Sequence, residues 1–330
     1  MQLFGSDSNP VPDGAVVGSI LASDGARLRV AHWRPVPGSP PRGTVCLFQG
    51  RAEAIEKYFE VIGELRQRGY AVATLDWRGQ GGSERPLANP MKGHVDSFTQ
   101  YDRDLDAFME QVALPDCPPP HFALAHSTGA LICLRAAHDG RARFARAVLV
   151  APLFGIAPTR PSPEVGHKVA AFLTAFGLGE ISVPERNAPP IIKLPFEGNV
   201  LTSDERRFLR NQAIFAEHPQ IMIGPPTFSW LYAAGRAMQE ANEAEYGLAV
   251  RVPILVLTAA LDRVVSLKAI ESVSAELRTG AQVVVAGSRH EMLMERDGVR
   301  AQFWAAFDAF VPGSPAVAAQ APASFSSASA

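Results

Sequence analysis

The chain of 330 residues carries almost no surplus charge: 31 basic side chains stand against 33 acidic ones, a formal net charge of −2. With no basic excess to neutralise a phosphate backbone, nucleic-acid binding is excluded as a primary role. Cysteine is scarce as well. Cys46, Cys117 and Cys133 are the only three, and two of them sit in apolar runs. A disulfide framework is therefore excluded and a reducing compartment fits. Long hydrophobic runs are missing, since nowhere do eighteen apolar residues follow one another. The opening MQLFGSDSNPVPDG has neither a basic nor an apolar block. No integral membrane segment is expected, at most a transient peripheral contact with a membrane, and the expected location is cytoplasmic. Repeats at a solenoid period are absent too.

What is present is ordinary globular composition, 47% hydrophobic and 19% charged, in a length that suits two domains or one large α/β domain with an insertion. Strand-like pieces at 17–23 and 28–34 meet at Asp24-Gly25, a hairpin signal, so the chain opens antiparallel. From Thr44 short apolar runs (TVCLFQ, AVATLD, HFALAH, AVLVAP) alternate with helical stretches near 54–69 and 99–113 and from Thr128. That alternation predicts βαβ units and a mostly parallel sheet. It stops at 153 and restarts at 251 with ILVLTA, a helix near 267–278, QVVVAG and a helix near 297–310. Helices near 163–178, 203–217 and 227–244 fill the gap, the middle one opened by a capping-box pattern at Thr202-Ser203-Asp204-Glu205. The expected organisation is an α/β core in two segments, 1–152 and 251–311, separated by a helical insertion over 153–250. An insertion there is placed to roof the crevice at the strand ends. Residues 312–330, uncharged Ala, Ser and Pro, read as a disordered tail.

The segment FALAHSTGALICLRAA places a strand, a tight turn at Ser127 and a helix in succession, the setting of a nucleophile elbow. The motif reads Ala125-His126-Ser127-Thr128-Gly129, with small residues two before and two after the serine so that strand and helix backbones can approach. By itself Ser127 reads equally well as a residue capping its own helix. Two later strands end in partners for it: ILVLTAA runs into Asp262 and QVVVAGS into His290. Singly, these would be a loop aspartate and a structural histidine. Together they give the order Ser, Asp, His, all at one edge of a sheet, in which His290 would take the serine proton and Asp262 would hold the imidazole. The amides of Thr128 and, after Gln49-Gly50, of Arg51 are the candidate oxyanion donors.

Other motifs fail. Gly79-Gln80-Gly81-Gly82 lacks the spacing and the Lys-Ser/Thr of a nucleotide loop. His290-Glu291 is followed at 294 by methionine, not the histidine of a zinc signature, so no metal and no cofactor is expected. The elbow serine disfavours dehalogenase and epoxide hydrolase chemistry, which on this kind of scaffold uses an aspartate there.

Several stretches carry a wider likeness: QGRAEAIEKYFEVIGELRQRGYAVATLDWRGQGGS, GHVDSFTQYDRDL, AHSTGA, LTSDERRFLRN, GPPTFSWLYAA, LDRVVS and RHEMLMERD. Over about residues 15–311 the chain resembles the α/β-hydrolases of the branch that holds lysophospholipase L2-like enzymes, monoacylglycerol lipases and serine aminopeptidase-like hydrolases. The resemblance implies an α/β-hydrolase fold with a helical cap, a triad at Ser127, Asp262 and His290, and oxyanion amides at Arg51 and Thr128. Many relatives have His-Gly at Gln49-Gly50 and glycine at Ala125, and both departures leave the amides in place. The implied activity is serine carboxylic-ester hydrolysis of a small-molecule ester or monoacyl lipid through an acyl-enzyme. Short-chain esterase, acyltransferase, aminopeptidase and a non-catalytic ligand-binding protein are the alternatives. Six aromatic residues of the insertion, Phe172, Phe176, Phe208, Phe215, Trp230 and Tyr232, supply enough surface for an acyl channel, with Phe208 and Trp230 the expected substrate contacts. Arg206 and Arg210, four apart on one helix, read as solvated arginines that could also meet a phosphate.

Overall fold

A computed structural model describes residues 1–38, 42–184 and 194–312. The chain opens with β1 (Val16–Leu21) and β2 (Arg27–Trp33), paired antiparallel around Gly25, whose φ of 88° only glycine adopts without strain. Six more strands follow: β3 (Thr44–Phe48), β4 (Ala71–Leu75), β5 (His121–His126), β6 (Arg146–Val150), β7 (Ile254–Ala259) and β8 (Gly280–Val285). They join one eight-stranded sheet in the order β1-β2-β4-β3-β5-β6-β7-β8, antiparallel at β1, β2 and β4 and parallel from β4 to β8. Every residue of β3, β4, β5 and β7 is buried. Helices cover both faces, and that is why these strands read as unbroken apolar runs instead of alternating ones.

One face packs against α1 (Phe59–Gln67) and α9 (Asp297–Phe310), whose Ile62, Leu65, Phe303 and Phe307 meet Val45, Leu47, Val72 and Leu124 of the sheet. The other carries α2 (Phe98–Phe108), α4 (Thr128–His138) and α8 (Leu267–Glu276). Helix α2 runs on through a π-helical turn, Met109–Ala113, into the one-turn α3 (Leu114–Asp116). The stretch expected to be helical from 54 begins as a 3₁₀ turn, Ile55–Tyr58, before α1.

Between β6 and β7 lie α5 (Pro163–Ala175), α6 (Glu205–Glu217) and α7 (Phe228–Ala241). The third is more than a roof. Its Trp230, Ala233, Ala234, Ala237 and Ala241 are buried in the same cluster as α2 and α4, so α7 joins the core layer while α5 packs along it. Helix α6 is tied down by charge. The buried Arg207 pairs with Glu60 of α1 and with Asp204 and Asp297, and Arg210 and Arg300 also reach Glu60. The expected capping box resolves differently: Asp204 caps the helix by accepting the Arg207 amide, whereas Ser203 turns to Glu295 and Thr202 to the Met294 carbonyl. The reason is that arginine stands three residues after Asp204, so no side chain returns to cap the cap. The expected tail, beyond Pro312, lies outside the described residues. Among the described residues no helix is long and apolar enough to cross a membrane.

Candidate active site

Ser127 links β5 to α4 with φ 50° and ψ −111°. For a residue with a Cβ this costs about 1–3 kcal/mol and persists only where surroundings over-determine it. They do here: the Ser127 amide donates to the Val150 carbonyl at 3.0 Å, and its own carbonyl accepts the amides of Ala130 and Leu153. The small flanking residues are needed as expected. A Cβ on Gly129 would lie 2.6 Å from the Gln49 carbonyl oxygen and 2.7 Å from that of Phe48, while Ala125 is fully buried opposite Phe48.

Asp262 follows β7 and His290 follows β8, so both arrive at the strand ends where Ser127 sits. His290 Nδ1 is 2.8 Å from Asp262 Oδ2, and His290 Nε2 is 3.2 Å from Ser127 Oγ. The other aspartate oxygen accepts the amides of Val264 and Val265 at 2.8 and 3.1 Å. This fixes the carboxylate so that Nδ1–H donates to it and the Nε2 lone pair faces the serine. Burial works to raise the Asp262 pKa, but the His290 hydrogen bond, its charge and the two amides outweigh it and hold the group below its ordinary value.

Thr128 is the first residue of α4, so its amide is one of those without an acceptor inside the helix. Arg51 lies in the tight loop after β3, where the Gly50 amide is bound by Glu53 and the Ala52 amide by Gln80. Its guanidinium reaches the Gly224 carbonyl and stands 5.3 Å from the Trp230 ring. Both residues border the same cavity as Ser127 and His290, a space of about 380 Å³ under α6 and α7. Leu153, Ile156, Leu201, Phe208, Phe215 and Trp230 form much of its apolar wall.

Of the six aromatic residues expected to suit an acyl channel, Phe208 and Trp230 line the cavity, and Phe215 joins them. Phe172 and Phe176 do not. Phe172 on α5 and Phe176 just past its end are 61% and 69% exposed, because α5 turns His167 toward α7, against Gly235 and Tyr232, and leaves these two on another side. Tyr232 stacks on His167 instead. Arg206 is exposed, and Arg210 is held by Glu60 beside an open surface groove, both outside the cavity.

A charged group at the cavity's polar end escaped the sequence reading. Lys57 bridges Glu53 at 2.7 Å and Glu291 at 2.6 Å, Tyr58 donates to Glu53 at 2.6 Å, and His126 faces Glu53 as well. Glu53 and Lys57, four apart, were a visible pair. Their partners lie 73 and 234 residues away, and no local spacing announces them. Glu53 and His126 together explain Gly50, where a Cβ would come within 2.9 Å of His126 Nδ1 and 3.1 Å of Glu53 Oε2.

The family described as "Serine aminopeptidase, S33" matches residues 39–297. The chain belongs to this family. It is an enzyme of the carboxylic-ester hydrolase class. It is 32% identical over 272 residues to lysophospholipase L2 of Escherichia coli, covering 78% of this chain and 76% of that protein. It is 31% identical over 264 residues to a probable lysophospholipase L2 of Haemophilus influenzae, covering 80% and 82%. Among solved structures, a soluble variant of monoglyceride lipase from Saccharomyces cerevisiae superposes with a TM-score of 0.70 at 21% identity, over 88% of this chain and 94% of that one. At that identity the likeness speaks for the α/β-hydrolase fold, which the sheet order and the covering helices share.

Proposed function

We propose that the enzyme hydrolyses the carboxylic ester of a monoacyl lipid, a lysophospholipid or a monoacylglycerol, through an acyl-enzyme on Ser127. The hydrogen-bonded series Asp262, His290, Ser127 opening onto an apolar cavity carries this reading. Ser127 Oγ attacks the ester carbonyl while His290 Nε2 takes its proton, and the amides of Thr128 and Arg51 receive the oxyanion. The imidazolium returns that proton to the departing alcohol. A water molecule, deprotonated by His290, then splits the acyl-enzyme and releases the fatty acid, and Ser127 recovers its proton.

The apolar wall, with Phe208 and Trp230 as substrate contacts, takes the acyl chain. The segment 153–250 acts as the cap, and loading needs only transient contact with a lipid surface, for which the outward stripe Val165, Val169, Phe172 and Phe176 is suited. Three buried free cysteines agree with a cytoplasmic setting. The test is a panel of lysophosphatidylcholine, monoacylglycerols of graded length, short nitrophenyl esters and aminoacyl amides, with Ser127→Ala as the blank. A Ser127-dependent preference for one long-chain head group is expected. Activity confined to short esters or amides overturns the lipid assignment, and undiminished turnover in Ser127→Ala overturns the nucleophile.

A further inference from the structure

His126, the residue before the elbow serine, is buried, and both of its ring nitrogens face acceptors. Nδ1 is 3.1 and 3.3 Å from the two carboxylate oxygens of Glu53, and Nε2 is 3.2 Å from the main-chain carbonyl of His290. A peptide carbonyl can only accept. Glu53 accepts too: its oxygens already receive the Gly50 amide, the Lys57 ammonium and the Tyr58 hydroxyl, and although burial works to raise its pKa, the charge beside it, Lys57 first, outweighs that and holds the carboxyl well below its ordinary range, as an anion whose remaining site takes the Nδ1 proton. Both ring nitrogens therefore carry hydrogen.

We propose that His126 is a positioning residue, an imidazolium that ties the backbone of His290 to the strand end bearing Ser127. The proposal rests on the reading of Ser127 and His290 as nucleophile and base. His290 is then held twice, at its side chain by Asp262 and at its main chain by His126, and the second tie comes from the residue bonded to the nucleophile itself. Serine and base thus move as one unit. In the low-dielectric interior a tie of this kind fixes the 3.2 Å approach of Nε2 to Oγ.

The charges around the ring make a closed set. Glu53 comes from the loop after β3, Lys57 from the turn before α1, and Glu291 and the His290 ring from the loop after β8. Burial works to lower the His126 pKa, but Glu53, by charge and hydrogen bond, outweighs it and raises the value. With two carboxylates balanced by Lys57 and His126, the group is neutral beside the His290 ring, whose centroid is 4.9 Å from that of His126. Removing the imidazolium leaves one uncompensated negative charge there, which favours protonated His290 and raises the pH needed for it to act as base.

Two measurements test this. In protein labelled with ¹⁵N-histidine, in wild type and in Ser127→Ala, one histidine is expected to keep both ring nitrogens protonated well above neutral pH. That signal should vanish in His126→Gln and lose a proton in Glu53→Gln. A single protonated nitrogen on His126, or its titration in the ordinary histidine range, overturns the proposal whether or not Ser127 is the nucleophile. In His126→Gln, kcat is expected to fall at least about tenfold with KM nearly unchanged, and the acid limb of kcat/KM to move up by about half a pH unit or more. A folded variant with wild-type kcat and an unmoved acid limb overturns the positioning role, and if that variant does not fold the wild-type spectrum still decides.

Discussion

Replacing Asp262 by asparagine changes one atom and tests the tautomer logic of the site. The aspartate Oδ1 accepts two amides, from Val264 and Val265. An asparagine must keep its amide oxygen there, because an NH₂ group cannot accept from them. Its NH₂ then faces His290 Nδ1, and the imidazole proton moves to Nε2, toward Ser127, so the base has no lone pair to offer. Restoring the productive tautomer by flipping the amide strands two N–H groups at about 1–3 kcal/mol each. A loss of this kind is expected to cost kcat about 10³- to 10⁴-fold, roughly 4–5.5 kcal/mol of barrier. KM should change little, since Asp262 does not border the cavity. The assay is steady-state hydrolysis of a nitrophenyl ester by folded Asp262→Asn, with circular dichroism as the control for fold. A kcat within about tenfold of wild type would refute the reasoning.

Three further expectations follow from packing and charge. Gly129→Ala places a methyl against two backbone carbonyls that cannot yield, and should lower stability by about 1–3 kcal/mol or abolish folding, read as the thermal midpoint. Phe208→Ala removes part of the cavity wall, and kcat/KM for long-chain esters should drop by roughly tenfold while butyrate esters are little affected; equal losses for both would remove Phe208 from the acyl site. For Glu60, burial works upward but the hydrogen bonds of Arg207 and Arg210 and the charge of Arg300 outweigh it, lowering its pKa from 4.5 to about 2. The folded value is depressed, so this stabilisation is complete above 4.5 and is lost as pH falls through about 2. Wild type should therefore lose thermal stability over that range more steeply than Glu60→Gln.

The amino-acid sequence by itself determined which stretches become strands and helices and the order in which Ser127, Asp262 and His290 follow strand ends. The reason is physical: a parallel strand covered on both faces must be apolar along its middle, as Phe122–Ala125 and Ile254–Leu257 are, and an elbow needs small residues beside its serine, as Ala125 and Gly129 are. Tertiary structure decided what depends on residues distant in the chain. An apolar stripe such as Val165, Val169, Phe172 and Phe176 states that a helix has an apolar face, yet only packing shows that α7 takes another face and leaves this one outside. Whether an arginine is solvated is likewise a matter of neighbours: Arg206 is, whereas Arg207 and Arg210 are claimed by Glu60 about 150 residues earlier. The imidazole of His126 owes its two acceptors to Glu53 and His290, 73 and 164 residues away. A buried polar group takes its protonation from whatever the fold sets against it, and pattern along the chain holds no record of that meeting.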